Sequence, residues 1–435
     1  MADTRDITCD LLDAVLDRGA PLDIALGEHK ALAKLDPRDR ALVRRIVGAT
    51  LRNLGEIDRV IKARLNSPLS GRHSRIRNVL RMGVAELVFL ETPPHAAVDA
   101  AVRVASQYRR GALKGLVNAI LRRIDRDKTA GTPISAPENP GEANTPNWLF
   151  NRWNANFGLE TAEAIALAHL TEAPLDISVS ARADTESWAA QLEADILPGG
   201  TLRRSGGGRI AGLPGFQDGQ WWIQDAAAAL PARLLGDVNG KEVIDLCAAP
   251  GGKTLQLADA GAAVTAVDIT SGRLGPLRDN LKRTGLTAKI VNADGVTWRP
   301  EEPADTLLLD APCSATGTIR RHPDIPRRRK SKDIEAVTDL QQDLLRAAVD
   351  MVKPGGAIVF ATCSLEPEEG SAQIEALLDA GAPVTLDPLD PADWPELDGL
   401  APAAITPDGM LRTLPCHWSE RGGMDGFFAA RLIRN

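Results

Sequence analysis

After Lys241 the chain carries five short apolar runs, Glu242 to Cys247, Ala263 to Asp268, Ala288 to Val291, Thr306 to Leu309 and Ala357 to Ala361. Between them lie segments with helical spacing, such as Asp339 to Val352. Strand-length apolar runs alternating with helices bury both of their faces as a mostly parallel sheet flanked by helices, so this half is predicted to be a Rossmann-like α/β fold. In such open sheets ligands sit beyond the carboxyl ends of the strands. The residues closing each run are therefore where chemistry is expected.

The first half reads differently. From Asp39 to Asn53 apolar Leu42, Ile46 and Ala49 interleave with Arg40, Arg44, Arg45 and Arg52, and helical periodicity recurs from Ile76 to Val88 and from Leu113 to Ile124. This predicts an all-α bundle over residues 1–127. A stretch poor in apolar residues and rich in proline, 128–147, has the composition of a linker. Residues 148–220 combine helical segments with the alternation Leu175, Ile177, Val179 and predict a small α/β subdomain, which leaves 221–435 for the sheet domain. A length of 435 residues agrees with several cores rather than one.

Charge is divided along the same line. Residues 1–130 hold 24 lysines and arginines against 16 aspartates and glutamates, although the whole chain has a net charge of −7. A basic helical module joined to an acidic domain suits a polyanionic partner better than the overall sum suggests. No apolar run is long enough for a membrane span and the first residues lack an apolar leader core, so a cytoplasmic protein is expected. Five cysteines without CxxC spacing point to reduced thiols, and the six histidines form no metal-ligand pattern.

The first strand runs into DLCAAPGGKT, Asp245 to Thr254, where Gly251 and Gly252 allow backbone amides to approach a ligand as a helix begins. Such a turn suits several nucleotide cofactors, but its spacing is not the GxGxxG of a dinucleotide site. Asp268 closes the second strand, where an acidic side chain can accept from ribose hydroxyls, and Asp294 after the third can accept from an adenine amine.

Strand four ends in Asp310, Ala311, Pro312, Cys313, and strand five in Ala361, Thr362, Cys363. One cysteine at a strand end is usually a small buried hydrophobe; two beside a cofactor crevice indicate thiol chemistry. Carbon 5 of cytosine is too weak a nucleophile to take a methyl group from a sulfonium until a nucleophile adds at C6, and a thiolate suits that addition. A cysteine of ordinary pKa about 8.5 needs roughly 2 kcal/mol of stabilisation to ionise near neutrality, and Lys253 is a candidate source. Elimination then needs a base or relay, for which Cys313 is placed, while Asp310 can bond the ring nitrogen or exocyclic amine. Beyond Cys313, Arg320, Arg321, Arg327, Arg328, Arg329, Lys330 and Lys332 form a basic strip expected to contact phosphates.

At these residues the chain resembles the RsmB-type (Sun/Fmu) ribosomal RNA cytosine-5 methyltransferases: DLCAAPGGKT, LLDAPCSATGTIRRHPDI, ATCSLEPEEG and DGFFAARL all match. DRALVRRIVGATLRN and VNAILRR are similar to the NusB-like RNA-binding domain of bacterial members. The resemblance implies a class I S-adenosylmethionine-dependent domain with Cys363 as nucleophile, Cys313 assisting release, and Asp310 and Lys253 beside the base. It implies cofactor contacts from Cys247, Ala248, Ala249, Pro250, Gly251, Gly252, Lys253, Asp268, Asp294 and Asp310. The implied partner is small-subunit (16S) ribosomal RNA, with no metal, no membrane and a monomeric chain. The sequence departs from the family at PLDISVS, Pro174 to Ser180, and at LPCHWSERGGM before Asp425, and Cys416 has no assigned role. Methylation of transfer RNA, a DNA enzyme attacking through Cys313, and a non-catalytic assembly factor are the competing readings; the intact cysteines, acidic positions and Lys253 weigh against the last.

Overall fold

The computed structural model describes residues 3–135, 137–205, 210–397, 399–400 and 403–435. It divides into two compact units, Met1–Thr171 with Ile319–Lys330, and Glu172–Thr318 with Ser331–Asn435.

The first unit is helical, with principal helices Thr4–Leu16, Pro37–Arg52, Leu54–Lys62, Ser74–Val84, Pro94–Gln107 and Lys114–Thr129. Their apolar stripes meet in one core in which Ile46, Val79, Leu80, Val117 and Leu121 are completely buried. The expected bundle is there, and it extends further than composition indicated. Residues 128–147 are not a free linker: Pro140–Asn144 is a short helix packed on Leu54–Lys62, and the amide of Glu56 donates to Asn144 Oδ1 at 2.9 Å. The helices Asn147–Phe157 and Leu159–Ala168, broken at Gly158 with φ +81°, also belong to this unit.

So does the basic strip. Ile319–Lys330 leaves the chain of the sheet domain and packs among the helices, where the Asp324 carboxylate accepts from the amide of Leu22 at 3.1 Å and from Arg328 at 3.0 Å. Arg320 is buried, Arg327 donates to the carbonyl of Asn144 at 2.5 Å, and Arg328 donates to the carbonyl of Gly19 at 3.1 Å. The strip expected to be a solvated phosphate-binding loop is therefore partly structural. Its arginines satisfy backbone carbonyls because burial demands a partner for each donor.

The second unit begins with a four-stranded antiparallel sheet, ordered β2-β3-β1-β4, made of β1 (Leu175–Val179), β2 (Asp195–Ile196), β3 (Leu202–Arg204) and β4 (Trp221–Ile223). The break placed at residue 220 is thus displaced, since Trp221–Ile223 completes the small sheet by pairing with β1. Arg203 and Asp176 form a buried bidentate pair at 2.8 and 2.7 Å, and Arg203 also donates to the carbonyls of Arg421 and Gly423. This ties the unusual segment before Asp425 to the small sheet.

The main sheet contains β5 (Glu242–Leu246), β6 (Ala263–Asp268), β7 (Lys289–Asn292), β8 (Ala304–Asp310), β9 (Val352–Thr362), β10 (Val384–Leu386), β11 (Leu411–Arg412) and β12 (Phe428–Arg434). Its order is β10-β12-β9-β8-β5-β6-β7, with β11 paired to β12; β5 to β9 are parallel, and β12 runs against β9. The chain first builds outward from β5 through β6 and β7, then returns to place β8 on the other side of β5. That reversal opens a crevice at the carboxyl ends of β5 and β8. No described helix is long and apolar enough to cross a membrane.

Replacing Asp324 with alanine removes the shared acceptor of Leu22 and Arg328 and leaves both donors underused. We expect Asp324→Ala to cost roughly 3 kcal/mol, seen as a lower urea midpoint in the helical circular-dichroism signal; an unchanged midpoint would show that the inserted segment adds nothing to this unit.

Candidate active site

Leu246 pairs with Val267 on one side and Leu309 on the other, and Leu309 faces Phe360, so four strands end nearly in line. Beyond Leu246 the backbone turns sharply. Cys247 has φ +64° and Gly251 φ +108°, and a Cβ on Gly251 would lie 2.3 Å from Leu277 Cδ1, which explains the glycine. Helix Gly252–Asp259 starts immediately afterwards. Asp268 braces the turn: its Oδ2 accepts from the amide of Ala249 at 3.1 Å, and its Oδ1 from that of Thr270 at 2.8 Å.

A cleft of about 280 Å³ is lined by Ala248, Pro250, Gly252, Lys253 and Asp310 on this side and by Phe216, Trp222 and Gln224 on the other. A Cβ on Gly252 would meet only Gln224, at 3.9 Å or more, so the helix start faces open space. The glycine turn suits S-adenosylmethionine, whose carboxylate can meet exposed helix amides, while Asp268 and Asp294, the expected acceptors for ribose and adenine, do not line this cleft. Asp268 is nearly buried at the strand end, whereas Asp294 is exposed and its Oδ1 accepts from the amide of Val296 at 2.9 Å. Burial pushes the Cys247 thiol up, so this residue contributes shape and backbone rather than a thiolate.

The two remaining site cysteines meet. Cys313 Sγ and Cys363 Sγ are 3.4 Å apart, and the amide of Gly317 donates to the carbonyl of Cys363 at 2.9 Å, which joins the two turns. The hydrogen bond with Cys363 and then burial raise the Cys313 thiol well above its usual range. Cys313 therefore keeps its proton at neutral pH, and either sulfur can donate in the pair. Lys253 Nζ donates to Asp310 Oδ2 at 2.8 Å and lies 5.0 Å from the centre of the Phe427 ring. Burial by itself would depress the Lys253 ammonium, but the charge and hydrogen bond of Asp310, followed by the charges of Cys363 and Asp245, hold it above the ordinary value. A charged lysine thus stands over the site at neutral pH.

The structure brings Cys363, Cys313, Asp310 and Lys253 together as the sequence predicts, but the arginines of the strip are divided between structural contacts and the surface. Arg321 and Arg329 are half-buried and Lys330 is exposed. Ser178 and Ser180, in the segment that departs from the family pattern, donate to Gln224 at 2.9 Å and to Asp259 at 2.7 Å. Cys416 is half-buried and its thiol is pushed up by burial, which leaves it inert. Phe427 and Glu369 also stand at the site; they lie in the motifs DGFFAARL and ATCSLEPEEG, where no spacing or residue type marks them out.

A strand order that reverses between β5 and β8, a glycine cradle at the reversal and a thiol pair beside it define an S-adenosylmethionine-dependent methyltransferase. Residues 232–433 match the family described as 16S rRNA methyltransferase RsmB/F, and residues 2–126 match the NusB family. The ribosomal RNA small subunit methyltransferase B of Enterobacter sp. (strain 638) is 34% identical over 443 residues, covering 99% of this chain and 98% of the relative. The protein of the same name from Escherichia coli O139:H28 is likewise 34% identical over 445 residues, with the same coverage. The chain belongs to the RsmB/F methyltransferase family. Among solved structures, PH0851 superposes with a TM-score of 0.77 at 25% identity over 100% of this chain and 99% of that one. NSun6 from Pyrococcus horikoshii, solved with SFG, gives 0.55 at 20% identity over 66% of this chain and 98% of its own, a likeness of fold.

Beneath the cradle, Asp245 is fully buried and accepts from the Thr254 hydroxyl at 2.5 Å. Burial pushes its carboxyl from the ordinary 3.8 to about 7. A carboxyl raised on folding stabilises the protein in its protonated form, so this contribution is full below about pH 4 and has gone above about pH 7. Asp245→Asn keeps the shape and cannot ionise. Relative to the parent, the variant should gain stability from pH 4 to pH 7 by up to about 1.4 kcal/mol per pH unit, measured by urea unfolding at several pH values; parallel curves would refute the assignment.

Proposed function

We propose that this protein methylates carbon 5 of a cytosine in small-subunit ribosomal RNA through a covalent bond between Cys363 and C6. The 3.4 Å approach of two sulfurs at neighbouring strand ends, beside the cofactor cradle, carries the reading. The RNA substrate rests on the relatives' name, on the NusB match and on the excess of basic residues in 1–130.

Cys313, held well above the usual thiol range, keeps its proton, and the role of nucleophilic thiolate falls to Cys363, whose negative charge Lys253 favours. The Cys363 thiolate adds to C6 and the electron pair moves through the ring towards C5. Lys253 is the donor for the developing ring charge, while Asp310, already an acceptor from Lys253, suits the exocyclic amine. Bound S-adenosylmethionine supplies the electrophilic methyl group. Once Cys363 is bonded to carbon, the main influence holding the proton on Cys313 disappears. Cys313 then releases that proton to solvent, and its thiolate takes the proton from C5. The electrons of the C5–H bond restore the ring double bond and expel Cys363 as thiolate. One thiol is thus a nucleophile and the other a delayed base, with their order set by mutual hydrogen bonding.

Cys363→Ala should abolish methyl transfer from tritiated S-adenosylmethionine to ribosomal RNA, and turnover within tenfold of the parent would remove Cys363 from the first step. Cys313→Ala should instead trap RNA on the protein as a denaturant-resistant adduct, visible as a shifted gel band; no adduct under methylating conditions would eliminate the release role. Bisulfite sequencing of a deletion strain should show one 16S cytosine losing protection, and a loss in transfer RNA instead would reassign the substrate.

A further inference from the structure

The two cysteine turns have the same local sequence. Cys313 is followed by Ser314 and Cys363 by Ser364, and both serines are completely buried. Their hydroxyls converge on one carboxylate, that of Glu369, which is also completely buried and lies in the turn Pro367–Glu369 six residues beyond Cys363. Glu369 Oε2 accepts from the hydroxyl of Ser364 at 2.5 Å and from that of Ser314. Its Oε1 accepts from the amide of Ser314 at 2.7 Å and from Gln341 Nε2 at 3.4 Å, while Gln341 also donates to the carbonyl of Pro312 at 2.8 Å. Four donors from three elements therefore point at this carboxylate. A buried carboxylate is costly unless it is so supplied, and four donors hold this one in one place.

We propose that Glu369 is the positioning residue of the thiol pair: its buried carboxylate clamps the Cys313 and Cys363 turns together and places a fixed negative charge beside Cys313. The inference deepens the reading of the two cysteines given above and rests on it. β8 and β9 pair in register only as far as Asp310 and Ala361, and both sulfurs lie beyond that ladder. Glu369 bridges the two turns there with a charged group, beside the neutral bridge of the Thr316 hydroxyl, which accepts from the amide of Leu365 at 2.9 Å. Neither oxygen is spare, so neither turn can shift without losing a charge-assisted hydrogen bond. The charge also opposes ionisation of Cys313, which reserves the first attack for Cys363.

Two variants separate the clamp from the charge. Glu369→Gln is nearly isosteric, but it is neutral and turns an NH₂ group towards donors. Glu369→Asp keeps the charge and is one methylene too short to reach both turns. Both should lower methyl transfer by roughly ten- to a hundredfold, the scale of an ångström-size misplacement, with S-adenosylmethionine affinity within about twofold of the parent. In a Cys363→Ala background, iodoacetamide labelling of Cys313, followed by peptide mass analysis, reports ionisation without methylation. Glu369→Gln should move its pH midpoint downward and Glu369→Asp should move it less. Methyl transfer by the Gln variant within twofold of the parent, or an unmoved labelling midpoint, overturns the proposal. If circular dichroism shows that both variants unfold, Ser364→Ala takes their place, because it keeps the carboxylate and removes one donor. A several-fold fall in turnover at unchanged cofactor affinity is then expected, and parental turnover counts against the clamp. Methylation by Cys363→Ala itself would instead defeat the cysteine roles, and the labelling comparison would still judge Glu369 separately.

Discussion

The parallel pairing of β8 with β9 is the constraint on which the site depends. It sets Leu309 against Phe360 and Asp310 against Ala361, so the two chains leave the sheet side by side and at the same height. Two cysteines fifty positions apart in sequence thereby become neighbours. Because β8 also flanks β5, the same strand carries Asp310 to the glycine cradle and its Lys253. One slip in register would alternate the side chains of β8 to opposite faces and separate all these groups.

Electrostatics in the crevice turn on one ammonium. Lys253 is surrounded by Asp310, Asp245 and the sulfur of Cys363, and it lies over the face of Phe427. In a region shielded from water these attractions are stronger than on the surface, and they keep the amine protonated despite its burial. The aromatic ring contributes attraction without competing as a hydrogen-bond acceptor. Phe427 reaches this place because the amide of Gly426 donates to the carbonyl of Gly317 at 2.8 Å, and Gly317 in turn donates to Cys363. The closing motif of the chain is thus wired to the thiol turn.

Much of this was legible in the sequence, because strand ends announce themselves. Apolar runs that stop at Cys247, Asp268, Leu309 and Ala361 pointed to both the sheet and the location of its chemistry. Periodicity likewise located the helices. The failures came from groups whose surroundings are distant in sequence. Arg320 and Arg327 look like surface charge until Arg52 and Asn144 are seen beside them, with Arg52 donating to the carbonyl of Arg320. Pro140 and Pro146 read as linker residues, yet Pro140 is the first residue of a helix and Pro146 immediately precedes another, both compatible with its fixed φ. Glu369 carries no local signal that distinguishes it from Glu368; only the fold reveals which carboxylate turns inward.

The placement of Ile319–Lys330 among the N-terminal helices affects how the protein is made. The polypeptide passes between the two units three times, near residues 171, 318 and 330. During synthesis the early helices emerge first and can collapse on their own apolar stripes. They stay one piece short until the ribosome has translated well past β8, roughly three quarters of the chain. Domains usually mature in the order in which they leave the ribosome. Here the earlier unit must wait for part of the later one, so a product truncated before residue 330 would hold neither a finished helical unit nor a closed sheet.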